Sequence, residues 1–161
     1  MNIRAFVATD ADAVWAILEP MLRKGDTYTL PSHWSRAEAM DYWLTPGHHV
    51  FVAEEGDRIL GTYYLKTNQK GGGEHVCNCG FVTGVEAMGR GIARAMCAHA
   101  LETAKALQYR AMQFNFVVAS NTRAVALWKS FGFEIVGTLP RAFRHPQHGF
   151  VDAYVMFKTL A

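Results

Sequence analysis

Residues 74–119 constrain the fold more than any other stretch. "EHVCNCGFVTG" (74–84) reads as a strand ending on a glycine, residues 89–108 as a long helix, and "RAMQFNFVVA" (110–119) as a second strand. Strand, helix and strand in direct succession form a crossover unit. Such a unit makes its two strands parallel and its connection right-handed. The sheet that holds them must carry at least this helix on one face.

The flanking segments read as follows. "IRAFVA" (3–8) is a strand, and "TDADAVWAILEPMLRK" (9–24) a helix capped by Thr9 or Asp10. Val14, Ile17, Leu18, Met21 and Leu22 form its apolar stripe, and Pro20 implies a kink or a break. "SRAEAMDYWL" (35–44) is a second helix, with Ser35 and Glu38 in a capping-box pattern. "HVFVAEEGDRILGTYYLKTN" (49–68) is a hairpin joined at "EGD". "SNTRAVALWKSFG" (120–132) is a helix capped by Ser120 or Asn121, "FEIVGTL" (133–139) and "FVDAYVMFKTL" (150–160) are strands, and "PRAFRHPQHG" (140–149) is the loop between them. The expected order is β-α-α-β-β-β-α-β-α-β-β over one domain, residues 1–161. The expected class is α/β: a mixed, mostly antiparallel sheet of seven strands with one parallel pair and four helices.

Composition removes several function classes. The net charge of +2 is too small to argue for nucleic acid or an anionic membrane as a partner. No apolar run approaches the roughly 20 residues of a spanning helix. Three cysteines are few and odd for a disulfide scaffold, and the N-terminus shows no secretory pattern, so cytoplasm is the expected compartment.

The turn between the parallel strands carries the chemistry. "GVEAMGRGIARAM" (84–96) lacks the third glycine of a dinucleotide fingerprint, its place being taken by Arg94. It also lacks the Gly-Lys-Ser/Thr of a nucleotide-hydrolase loop. What remains is a helix start with unpaired N–H groups and a favourable dipole. Gly89 and Gly91 let a ligand approach the backbone, and Arg90 and Arg94 add charge. This is an anion seat suited to a pyrophosphate.

The stretch resembles the acetyl-CoA pyrophosphate loop of the GNAT (GCN5-related N-acetyltransferase) superfamily, Gln/Arg-x-x-Gly-x-Gly/Ala. Gly91 and Ala93 take its small positions, and Met88 stands where Gln or Arg is usual. "NTRAVALWKSFGF" (121–133) resembles the family's second signature, correctly spaced from the first. The resemblance implies a sheet whose parallel strands splay apart around the pantetheine of acetyl-CoA. It implies that the backbone of Phe81, Val82 and Thr83 holds the pantetheine. Met88, Gly89, Arg90, Gly91, Ile92, Ala93 and Arg94 would hold the pyrophosphate, with Asn121 beside the pantetheine or acetyl group and Lys129 near cofactor phosphate. Asn121 also reads simply as a helix N-cap.

The implied reaction is direct attack of an amine on the thioester. Relatives often place a tyrosine acid on the second-signature helix. Trp128 occupies that position here, and an indole N–H is too weak an acid to serve. It reads as core or as a wall of the acceptor site. Tyr154, Tyr109 and water are the candidate proton donors. Asn78 and Asn115 lie on the two parallel strands, where asparagine is a poor strand former. Together with Asn121 they resemble the branch that acetylates proline analogues such as azetidine-2-carboxylate, which implies Asn78 and Asn115 on the acceptor's carboxylate and Asn121 near the reaction centre. Catalytic candidates are therefore Asn121, Asn115 and Tyr154, and acceptor-binding candidates Asn78, Asn115 and Trp128.

His75, Cys77 and Cys79 alternate, but residues two apart on a strand are about 6–7 Å apart, too wide for easy chelation. No metal is expected. His145 and His148 lie in the loop that would cover the acceptor. The expected partner is a small-molecule amine, with acetyl-CoA as cosubstrate; relatives are often dimers, which makes a homodimer one expectation. Peptide acetylation and non-catalytic acyl-CoA binding are the competing readings.

Overall fold

A computed structural model describes residues 1–160. Seven strands form one sheet: β1 (Asn2–Ala5), β2 (His49–Glu55), β3 (Arg58–Thr67), β4 (Val76–Thr83), β5 (Ala111–Val118), β6 (Glu134–His145) and β7 (Gly149–Thr159). Four α-helices accompany them: α1 (Ala11–Lys24), α2 (Arg36–Trp43), α3 (Ile92–Ala106) and α4 (Thr122–Ser130). The strand order is β1-β2-β3-β4-β5-β7-β6. Only β4 and β5 run parallel, as the crossover between them requires. None of the described helices is long and apolar enough to cross a membrane.

The sheet is buried on both faces. On one, Val14, Ile17 and Leu18 of α1 and Met40 and Trp43 of α2 pack on Val52, Tyr64 and Val82. On the other, Ile92, Met96, Cys97, Ala100, Leu101 and Ala104 of α3 and Trp128 of α4 pack on Tyr63, Leu65, Cys77, Cys79, Met112 and Phe114. Gly61 sets how closely α3 approaches: a Cβ there would lie 2.9 Å from Ile92 Cγ2 and 3.0 Å from Met96 Cε.

Several local expectations change. α1 runs unbroken through Pro20. Pro20 and Ala16, whose carbonyl loses its donor, both face solvent, where water satisfies the orphaned group. Neither Thr9 nor Asp10 caps α1 with its side chain; the Asp10 carboxylate instead binds Arg4 and the Val7 N–H. The Ser35–Glu38 capping box forms. Residues 140–149 are not a loop: β6 continues to His145 and turns tightly into β7 at Gly149. A register shift between Leu139 and Phe143 absorbs Pro140, which an edge strand tolerates because its N–H is not needed for pairing.

Candidate functional site

β4 and β5 pair only at Val76–Ala111 and Cys77–Met112. Beyond these they separate, although β4 runs on to Thr83 and β5 to Val118. Trp128 fills the separation on the α3/α4 face. Its ring lies 5.2 Å from Phe81 of β4 and 5.0 Å from Phe114 of β5, and Phe114 stacks on Phe133 at 4.4 Å. The indole is only 8% exposed, so it packs as a wedge between the two strands.

The ladder phase shows which groups of β4 face the gap. Gly84 N–H donates to the Leu60 carbonyl (2.8 Å) and Asn68 N–H to the Val76 carbonyl (2.9 Å). With Thr62 opposite Val82 and Tyr64 opposite Gly80, the even-numbered residues of β4 turn their backbone groups to β3. Cys79, Phe81 and Thr83 turn theirs to the gap. Of the three expected pantetheine residues, Phe81 and Thr83 thus offer backbone to the gap, and the backbone of Val82 is committed to β3. The gap is also partly occupied by the protein: Asn78 Oδ1 accepts from the Cys79 N–H (2.8 Å), and the Tyr28 hydroxyl donates to the Phe81 carbonyl (2.9 Å). Burial holds the Tyr28 phenol well above the usual tyrosine range, so it stays a proton donor.

After Thr83 the chain passes through a 3₁₀ turn, Val85–Ala87, to the helix start. α3 begins at Ile92, three residues later than the sequence suggests, with Gly91 as its N-cap. Gly89 and Gly91 both adopt φ +80°, the left-handed region that favours glycine. A Cβ at either would meet nothing within 4 Å. Their missing side chains therefore leave open space over the helix end. The first bond of the α3 ladder is Ala95 N–H to the Gly91 carbonyl (3.0 Å), so the N–H groups of Ile92, Ala93 and Arg94 precede it. These features fit a pyrophosphate. The two arginines are less free than expected. Arg90 pairs with Glu55 at 2.8 Å, and the Arg94 guanidinium lies over the Phe131 ring at 5.5 Å. Met88 is 57% exposed beside the glycines, and Lys129 is exposed on α4.

The remaining candidates fall on both faces of the gap. Asn121 caps α4, its Oδ1 accepting from the Ala124 N–H at 3.4 Å. Tyr154 of β7 stands opposite Val117 and Thr138 in register and packs against the α3/α4 core. Tyr109 hydrogen-bonds Thr67 at the paired end of β4 and β5, away from the helix start. Asn78 and Asn115 lie on the opposite face, because strand neighbours alternate and Cys79 and Phe114 belong to the α3/α4 core. They are not bonded to each other. Asn115 donates to Asn68 Oδ1 (2.7 Å) and accepts from Gln113 Nε2 (2.9 Å). His145 Nδ1 accepts the N–H groups of Gln147 and His148, so that histidine orders the turn it sits in. His75 is exposed while Cys77 and Cys79 are buried. No group of three metal-ligating side chains converges among the described residues.

A cleft of about 370 Å³ opens on the Asn78–Asn115 side, between the segment after α1 and the β6–β7 turn. Tyr28 and Phe143 are among its walls. Tyr28 touches β4 through Phe81, and Phe143 lies 6.2 Å from Phe116 of β5. Two walls of the cleft thus contact the strands that flank the gap. No local signal marks Tyr28, since its partner is 53 residues away.

Residues 12–133 match the model of the Acetyltransferase (GNAT) family. The chain belongs to that family. It is an acetyl-CoA-dependent N-acyltransferase with a mixed, mostly antiparallel sheet and one parallel pair. Among solved structures, this GNAT enzyme is similar to a GCN5-related N-acetyltransferase from Kribbella flavida: 35% identity, TM-score 0.94, 98% of this chain and 96% of that chain covered. It is 28% identical over 151 residues to N-acetyltransferase aca1 of Schizosaccharomyces pombe, covering 83% of this chain and 72% of that protein. The Salmonella typhimurium protein yncA, solved with its cofactor acetyl-CoA, shares the fold at TM-score 0.87 and 17% identity, covering 100% of this chain and 94% of that one.

Proposed function

We propose that this GNAT enzyme transfers the acetyl group of acetyl-CoA directly to the amine of a small molecule or amino acid, with a proline analogue as a fitting acceptor. The reading rests on one observation: the backbone of Phe81 and Thr83, which no neighbouring strand pairs, leads through one 3₁₀ turn to the open glycine seat at the start of α3. The gap takes the pantetheine in extended form, and the N–H groups of residues 89–94 take the pyrophosphate. The thioester then lies where β4 and β5 separate, and the acceptor approaches from the cleft on the opposite face.

In the reaction the amine nitrogen bonds to the thioester carbon while the carbon–sulfur bond breaks. The amine must lose a proton, and the thiolate gains one. Tyr154 is the proposed donor, with water as the alternative. Asn78 and Asn115 orient the acceptor by its carboxylate, and Asn121 stands near the reacting carbon. Three unpaired, buried thiols support a reducing compartment, hence the cytoplasm.

The test is thiol release from acetyl-CoA across a panel of amines that includes azetidine-2-carboxylate and peptides. Turnover of small amino acids is the expected outcome. Peptide turnover alone would change the acceptor class, and tight CoA binding without turnover of any amine would leave only a binding protein.

A further inference from the structure

Resting on the reading that the gap takes the pantetheine, we propose that Trp128 sets the length of acyl chain the enzyme accepts, closing the donor pocket just beyond an acetyl group. The indole that the sequence offers as a wall for the acceptor then meets the acyl group of the donor instead.

The gap between β4 and β5 has one open end and one closed end. It opens toward the glycine seat and closes where Cys77 pairs with Met112. CoA held by the seat therefore enters with its acyl group foremost, pointing at the closed end. A nucleophile approaches a carbonyl carbon across the carbonyl plane rather than within it. The acceptor thus takes the α1/α2 face of the gap, and a chain longer than acetyl has two paths left. It can run on toward the closed end, or it can leave through the α3/α4 face.

Side chains shut both paths. Near the closed end, Cys79 Sγ lies 3.9 Å from Met112 Sδ across the gap, and both residues are buried. On the α3/α4 face the indole of Trp128 bridges Phe81 and Phe114 at 5.2 and 5.0 Å, ring distances of direct aromatic contact. Phe133 stacks behind Phe114 at 4.4 Å and leaves it no room to swing. The backbone of Trp128 is held as well, its carbonyl accepting the N–H groups of Phe131 and Phe133, both at 3.1 Å. A packed interior of this kind resists even one added methylene. Cys79 is already small, so Trp128 is the side chain whose size sets the limit.

A series of acetyl-, propionyl- and butyryl-CoA with one accepted amine tests the assignment by thiol release. In the wild-type enzyme kcat/KM should fall ~10-fold or more per added methylene, the discrimination a tight apolar pocket gives. Trp128→Leu should raise the butyryl-to-acetyl ratio ~10- to 100-fold, and Trp128→Phe should move it less in the same direction. Leu101→Ala, which truncates a comparably buried side chain of α3, controls for general loosening and should keep the wild-type ratio. A wild-type enzyme that uses butyryl-CoA as well as acetyl-CoA overturns the proposal, and this arm needs no variant to fold. An acetyl preference that survives both Trp128 variants overturns it too. Either result leaves the transfer reading standing. If no amine is acetylated, the transfer reading falls, and calorimetry with CoA and the same thioesters decides about Trp128. Affinity that drops with acyl length in the wild type, but not in Trp128→Leu, supports the limit; affinity independent of acyl length in the wild type overturns it.

Discussion

Asp10 illustrates how much one side chain organises. Its carboxylate, in a residue only 6% exposed, accepts from the Arg4 guanidinium at 2.8 and 3.0 Å and from the Val7 N–H at 2.8 Å. The hydrogen bond from Arg4 pulls its pKa below the ordinary value. Its contribution is therefore complete above the usual aspartate value of about 3.9 and is lost as pH falls through the lowered native value. Asp10→Ala should lower unfolding free energy by about 1–3 kcal/mol at pH 7, because it removes the charge-assisted bonds that the carboxylate accepts from Arg4 and from the Val7 N–H. Denaturant titrations of both proteins should converge on acidification. Asn115 gives the functional counterpart. Its amide is exposed and bonded only to Asn68 and Gln113, so Asn115→Ala should leave folding nearly intact. It should raise the acceptor KM by about tenfold or more, the scale of a hydrogen bond to a charged group, and leave the KM for acetyl-CoA little changed.

Elements differed in how plainly the chain announced them. The stripe Ile92, Met96, Cys97, Ala100, Leu101 and Ala104 was readable as a buried helix face because the apolar period of 3.6 survives intact. The turn before α3 was readable as one that needs glycine, and Gly89 and Gly91 both take a left-handed φ there. β6 was not. Pro140, Arg141 and Gly149 imitate a loop, but the chain pairs with β7 on both sides of the irregular stretch between Leu139 and Phe143. Arg141 even takes a left-handed φ of +52°, its N–H held by Asp152. The Tyr28–Phe81 contact and the cleft were equally hidden, since they depend on which segments meet in space. The contact between Gly61 and α3 yields a prediction at this scale. Gly61→Ala drives a methyl against Ile92 and Met96, so overpacking should cost about 1–3 kcal/mol. It should also shift the N-terminus of α3 and raise the KM for acetyl-CoA; thermal melts and initial rates on one preparation check both.

At the scale of the whole molecule, the two-faced core encloses all three thiols. Burial pushes Cys77 and Cys97 up to about 12 and Cys79 well above its ordinary value. The native protein should thus react with no equivalent of a thiol reagent at pH 8, and with three in denaturant. The short β4–β5 pairing has a different kind of consequence. Strands near the middle of a sheet normally have their amides protected until the protein opens. Here Phe81 and Thr83 lie in the fourth of seven strands, with N–H groups that no neighbouring strand covers. In the free enzyme those two amides should exchange with deuterium like those of a peripheral strand, while Val82 between them stays protected. CoA should slow Phe81 and Thr83 and leave Val82 as it was. The sheet has, in effect, three borders, and the third lies inside the molecule where only an extended ligand can add itself as the missing strand.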